Sequence, residues 1–121
     1  MSSEGFGVRI EVGSAGGAAV VAVAGELDMA TADRLVASVA GLPRAHDPIV
    51  LDLRQVSFLD SSGMRALLDV SDHAAGLGRA VGLLQPSTAV TRLLDLVDLR
   101  SRFTEIDDIE PATVARLLLT R

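Results

Sequence analysis

The chain contains no cysteine, tryptophan, tyrosine, lysine or asparagine. Without cysteine there are no disulfides, no thiolate metal sites and no thiol nucleophile or redox couple. The only aromatic residues are Phe6, Phe58 and Phe103, too few for a base-stacking platform or an aromatic sugar site. Long apolar runs are also missing. The longest, Ala18 to Ala24, falls well short of the roughly 20 residues that cross a bilayer. Met1-Ser2-Ser3-Glu4-Gly5 lacks the basic region of a signal peptide. The expectation is a cytoplasmic protein with no membrane insertion.

Positive charge is in deficit. Eleven basic residues, all arginine, face 16 acidic ones for a net charge of −5 and a pI near 4.8. Such a surface on average repels phosphate backbones, which argues against a nucleic-acid partner. What the chain has in quantity is apolar residues: 49% of its 121 positions, with a mean hydropathy of +0.40. That content supports a sizeable core, and the length suits one domain over residues 1–121, its core spanning about 6 to 118.

Period-two alternation of Phe6, Val8, Ile10 and Val12 predicts a half-buried strand, followed by a turn over Gly13-Ser14-Ala15-Gly16-Gly17. The continuous apolar segment Ala18-Ala19-Val20-Val21-Val23 predicts a second strand covered on both faces. These glycines fit neither a dinucleotide fingerprint nor a phosphate loop, which needs a lysine. Ala32, Leu35, Val36, Val39 and Ala40 mark a helix ended by Gly41 and Pro43, with Asp28 or Thr31 as its cap. Ile49 to Leu53 reads as a buried strand. Met64, Leu67, Leu68, Ala74 and Ala75 give a second helix its apolar face, and Gly76 and Gly78 stop it. Ala80 to Leu84 is a strand, and Val90, Leu93, Leu94 and Val97 form the face of a third helix capped by Ser87. Phe103 to Ile106 is a short edge strand. Asp107, Asp108 and Glu110 precede Pro111 as the acidic start of a last helix docked through Val114, Leu117 and Leu118. Strands separated by helices imply parallel crossovers, so the class is α/β or mixed α+β: about five strands in a mixed sheet with about four helices. The crossovers bring the starts of the first two helices to one edge, making Asp28 and Ser61 neighbours.

The run Phe58-Leu59-Asp60-Ser61-Ser62-Gly63-Met64 concentrates polar chemistry at a strand-to-helix junction. Asp or Ser at a helix start accepts hydrogen bonds from unpaired amides, and the helix dipole favours an anion there. A phosphate on Ser61 would be held by those amides. Gly63 in the first turn invites close approach by another surface. The plain alternative is that Asp60 and Ser61 are only a cap.

Asp60-Ser61-Ser62-Gly63, together with Gly25-Glu26-Leu27-Asp28 at a fitting spacing and Val90-Thr91-Arg92-Leu93-Leu94 near the third helix, resembles the STAS family. That family is shared by bacterial anti-sigma factor antagonists and sulfate transporters. The arginine-only basic set then reads as GC-rich coding. The resemblance implies a partner switch in transcription regulation. An unphosphorylated anti-anti-sigma factor binds an anti-sigma factor that is also a serine kinase, releasing a sigma factor; phosphorylation of Ser61 ends binding, and a phosphatase restores it. It implies a partner surface of Asp28, Asp60, Ser61, Ser62, Gly63 and Met64, and no cofactor. The alternative within the family is a regulatory subunit of a membrane transporter's ATPase or of a stress-signalling scaffold. One departure is Asp98, where the family often has glycine ending the third helix; Asp tolerates the left-handed conformation better than most residues.

An enzyme is not expected. Ser61 or Ser62 with His46 or His73 lacks the Gly-x-Ser-x-Gly elbow of a hydrolase, and His73 falls about three turns down the helix from Ser61. The histidines have no metal-ligand spacing.

Overall fold

The computed structural model describes residues 7–43 and 47–119; Phe6 and His46, read above as a strand residue and a loop residue, lie outside them. β1 (Val8–Ala15) and β2 (Ala18–Leu27) form an antiparallel hairpin closed by Gly16 and Gly17 alone. The turn is thus shorter than the expected Gly13–Gly17 loop. Gly13, Ser14 and Ala15 stay in β1 opposite Val20, Ala19 and Ala18, because two residues able to take positive φ suffice to reverse a hairpin.

The chain continues through α1 (Ala32–Ala40), β3 (Ile49–Leu59), α2 (Ser61–Gly76), β4 (Val81–Leu84), α3 (Thr88–Leu96), a 3-10 turn at Arg100–Arg102, β5 (Thr104–Ile106) and α4 (Pro111–Leu117). The sheet order is β1-β2-β3-β4-β5, with β2 to β5 parallel. Among the described residues this is the five-stranded mixed sheet with four helices that the pattern predicts.

Three crossovers stepping in one direction place their helices on one face of the sheet. There Leu35 of α1, Leu67 and Val70 of α2, and Val90 and Leu94 of α3 share a core with Val21, Val23, Leu51 and Leu53. α4 serves the other face, setting Val114 and Leu117 against Ala18, Val50 and Leu84. Its seven residues reach only about 10 Å at 1.5 Å each, so it covers only part of that face. β2 is therefore buried on both faces only near its start. Farther along, Ala22 and Ala24 lie half-exposed in a shallow polar depression with Arg9, Glu11, Asp52 and Gln55.

Several stripe positions differ from the periodic reading. Val70 is buried, whereas Ala40, Ala75, Val97 and Leu118 are exposed, since they lie at helix ends beyond the sheet's cover. Asp98, following α3, has φ +57°, the left-handed conformation its position requires in place of glycine. Ser87 occupies the N-cap of α3 but makes no cap hydrogen bond; its hydroxyl donates to the Val56 carbonyl at 2.6 Å and pins α3 to β3. Asp108 accepts from the Glu110 amide and the Thr113 hydroxyl, and those bonds hold its pKa below the usual aspartate value. The acidic start of α4 is thus a local brace.

Candidate functional site

The site forms where β2 and β3 end side by side. Leu27 is in register with Leu59, and the Asp60 amide donates to the Leu27 carbonyl at 3.3 Å. Each strand then turns directly into its helical segment, so Asp28 and Asp60 stand at adjacent strand ends, as the crossover argument predicts.

Asp60 is the N-cap of α2, with extended backbone. Its Oδ1 accepts from the amides of Ser62 at 2.9 Å and Gly63 at 3.0 Å. This changes the expected setting of a phosphate on Ser61. Two of the free helix amides that would hold it are already taken by Asp60. Ser61 is the first helical residue and is exposed; Ser62 is half-buried. Arg65, also exposed, lies one turn on and on the same side of α2 as Ser61.

Asp28 caps the loop before α1 and not the helix itself. Its Oδ1 accepts from the Ala30 amide at 3.0 Å. Thr31, at the N-cap position, makes no side-chain cap bond. Its buried hydroxyl donates to the Glu26 carbonyl at 2.6 Å and accepts from the Asp28 amide at 3.0 Å. The loop is closed on itself, and the Asp28 carboxylate is presented at its rim.

Gly63 and Met64, expected at the partner surface, both face inward, with Met64 6% exposed. A Cβ on Gly63 would lie 2.4 Å from the Leu27 carbonyl oxygen and 2.4 Å from Leu59 Cδ1. The surface whose approach this glycine permits is the protein's own sheet. Gly25 has a related role in β2: φ is +104°, and a Cβ would sit 2.3 Å from the Gly7 carbonyl oxygen. The register of β2 against β3 shifts between Gly25 and Glu26, a local irregularity two residues before Asp28.

Beside Ser61 the structure adds residues that the motif reading omits. Phe58, Leu59, Ala89, Arg92, Leu93 and Leu96 line an open, largely apolar groove of about 420 Å³ between the end of β3 and α3. Phe58 is 46% exposed, Leu96 81%, and Met29, next to Asp28, 83%. Exposed Phe58 and Leu96 in one groove with Arg92 mark an interaction surface. Their signal in the sequence is weak. Phe58 stands between the buried Val56 and Leu59 near the end of β3, and Leu96 falls off the α3 stripe.

His73 is exposed in the last turn of α2, at the far end of that helix from Ser61. Among the described residues no group of three His, Cys, Asp or Glu is placed to hold a metal ion, and no helix is long and apolar enough to cross a membrane.

The chain matches the family model described as "Mlab, STAS domain" over residues 10–106, and it belongs to the STAS-domain family. Among solved structures, an anti-sigma factor antagonist from Mycobacterium paratuberculosis is 29% identical, with a TM-score of 0.66 over 93% of this chain and 92% of that one. The antagonist SpoIIAA in its unphosphorylated form is 18% identical, with a TM-score of 0.64 over 90% of this chain and 97% of that one. The Bacillus protein is also known in its phosphorylated form, at a TM-score of 0.61 over 83% of this chain and 93% of that one. An anti-sigma-factor antagonist domain protein from Planctomyces limnophilus reaches a TM-score of 0.68 at 15% identity, over 89% of this chain and 97% of that one. The likeness to SpoIIAA and to the Planctomyces protein is one of fold. No curated protein matches the chain.

Proposed function

We propose that this STAS domain is a cytoplasmic anti-sigma factor antagonist that acts by binding and not by catalysis. In its unphosphorylated form it engages an anti-sigma factor with serine kinase activity and so releases a sigma factor. Phosphorylation of Ser61 ends the association, and a protein serine phosphatase resets it. The observation that carries the reading is the placement of Ser61. It is an exposed hydroxyl on the first residue of α2, directly after the capping Asp60 and beside the Asp28 loop. The 29% identity to a mycobacterial antagonist over nearly the full chain supports it.

The proposed contact surface is Asp28, Asp60, Ser61 and Ser62, extended by Met29, Phe58 and Leu96. Gly63 and Met64 contribute from inside by fixing where α2 begins. A phosphate on Ser61 adds about −1.5 to −2 charges beside two carboxylates and next to apolar groups that a partner must desolvate. Because Asp60 already occupies the amides of Ser62 and Gly63, the helix start can offset little of that charge. The bound state is weakened far more than the free one.

A second reading is a regulatory subunit on a membrane transporter's ATPase or in a stress-signalling scaffold, the other role implied by the family resemblance; the description of the matching family names no antagonist. One experiment separates them. Incubation with candidate anti-sigma kinases and ATP, followed by phosphosite mapping and affinity capture, yields a phosphate on Ser61 and an anti-sigma factor under the first reading. Capture of a transporter ATPase with no phosphate on Ser61 supports the second.

A further inference from the structure

Among the described residues β1 is an edge strand of eight residues, paired with β2 on one side only. The Glu26 amide donates to the Gly7 carbonyl at 2.8 Å, which identifies Gly7 and Glu26 as a hydrogen-bonded pair in the register Val8↔Gly25, Arg9↔Ala24. Hydrogen-bonded and non-bonded pairs alternate in an antiparallel ladder. Residues 9, 11 and 13 therefore spend their backbone groups on β2, and the N–H and C=O groups of Val8, Ile10 and Val12 point away from the sheet.

That free edge has an internal symmetry. Arg9 and Glu11, of opposite charge, flank Ile10 on the open face of the sheet, where both are exposed. Neither has an ion-pair partner among the described residues. Val8 and Ile10 turn toward the helix face, while Val12, on the same side, is 54% exposed. Consider a second β1 laid antiparallel against the first. Centred on Ile10, the register puts Arg9 opposite Glu11 twice, Val8 opposite Val12 twice, and Ile10 opposite Ile10. Arg9 and Glu11 then form non-hydrogen-bonded pairs, in which side chains lie closer together. Shifting the centre by one residue sets Arg9 against Arg9 or Glu11 against Glu11, and like charges directly opposite are destabilising.

We infer that β1 is a self-recognition edge at which two copies of this chain pair antiparallel about Ile10, joining their sheets into one of ten strands. The pairing leaves Ser61 uncovered, because β3, which leads to it, is the second strand in from that edge. The inference does not depend on the proposed function.

The test is the mass of the full chain by sedimentation velocity over a concentration series. Wild type should move from 12.6 kDa toward twice that mass. Arg9→Glu and Glu11→Arg should each remain at monomer mass, and the double exchange Arg9→Glu/Glu11→Arg should restore the dimer. Val12→Pro removes an outward amide and no bond to β2, so it should be monomeric with an unchanged circular dichroism spectrum. A wild type that stays monomeric throughout, or charge variants that dimerise as well as wild type, would overturn the inference.

Discussion

The Asp60 amide donates to the Leu27 carbonyl at 3.3 Å, and this single bond joins the two motifs that lie more than thirty positions apart in the chain. It sets the start of α2 against the end of β2, so the Asp28 loop and Ser61 form one surface. Three consequences of this arrangement can be measured, and a fourth test lies elsewhere in the fold.

Ser61→Ala removes an exposed hydroxyl that makes no cap bond, so the variant should keep its stability within about 0.5 kcal/mol and still bind the anti-sigma factor. Ser61→Glu should fold equally well and bind at least about tenfold more weakly, roughly 1.4 kcal/mol. Isothermal titration against the cognate anti-sigma factor decides; equal affinities for both variants would sink the phospho-switch.

Gly63→Ala tests the seam itself. Alanine is favoured over glycine in a helix by about 1 kcal/mol. Here its methyl meets a backbone oxygen that no side-chain rotation can move, and overpacking of this kind costs about 1–3 kcal/mol. A net destabilisation of up to about 2 kcal/mol by urea denaturation is expected, and a stabilised variant would show that α2 has room to shift over β2.

Asp28→Asn keeps an oxygen to accept from the Ala30 amide while removing a charge from the proposed contact surface. Thermal stability should change by less than about 0.5 kcal/mol. Leu96→Gln, at an 81% exposed position, should likewise leave stability intact. Both variants should weaken partner binding about fivefold or more, as expected for contact residues worth about 1 kcal/mol. Normal binding by both would remove this face from the interface.

Asp52 offers a pH test away from the site. The Arg54 guanidinium hydrogen-bonds its carboxylate at 2.9 and 2.8 Å and holds its pKa below the ordinary 3.8, against the opposing effect of burial. A lowered folded-state pKa means stability that is present above the unfolded value and lost as pH falls through the folded one. Because Arg54 is half exposed, the contribution should stay under about 1 kcal/mol. Urea midpoints for wild type should exceed those of Asp52→Asn near neutral pH and converge with them in acid, below about pH 4. A gap that persists there would assign the difference to packing.

Local chemistry in the sequence determined the elements and the position of the junction. Alternation made β1, the spaced leucines and valines made the helices, Asp60 capped α2, and Asp98 supplied the left-handed residue after α3. Each of these depends on near neighbours in the chain, which periodicity and capping rules capture. The length of α4, and hence how much of β2 lies open, follows from where its docking stripe meets the sheet. Tertiary structure alone decided that the Asp60 amide meets the Leu27 carbonyl, that Gly63 and Met64 face the core, and that Phe58, Leu96 and Met29 stand exposed. It also decided which backbone groups of β1 point away from β2. Those facts turn on register and on which strand end abuts which helix start. They arise from contacts between distant residues, and no local pattern carries them.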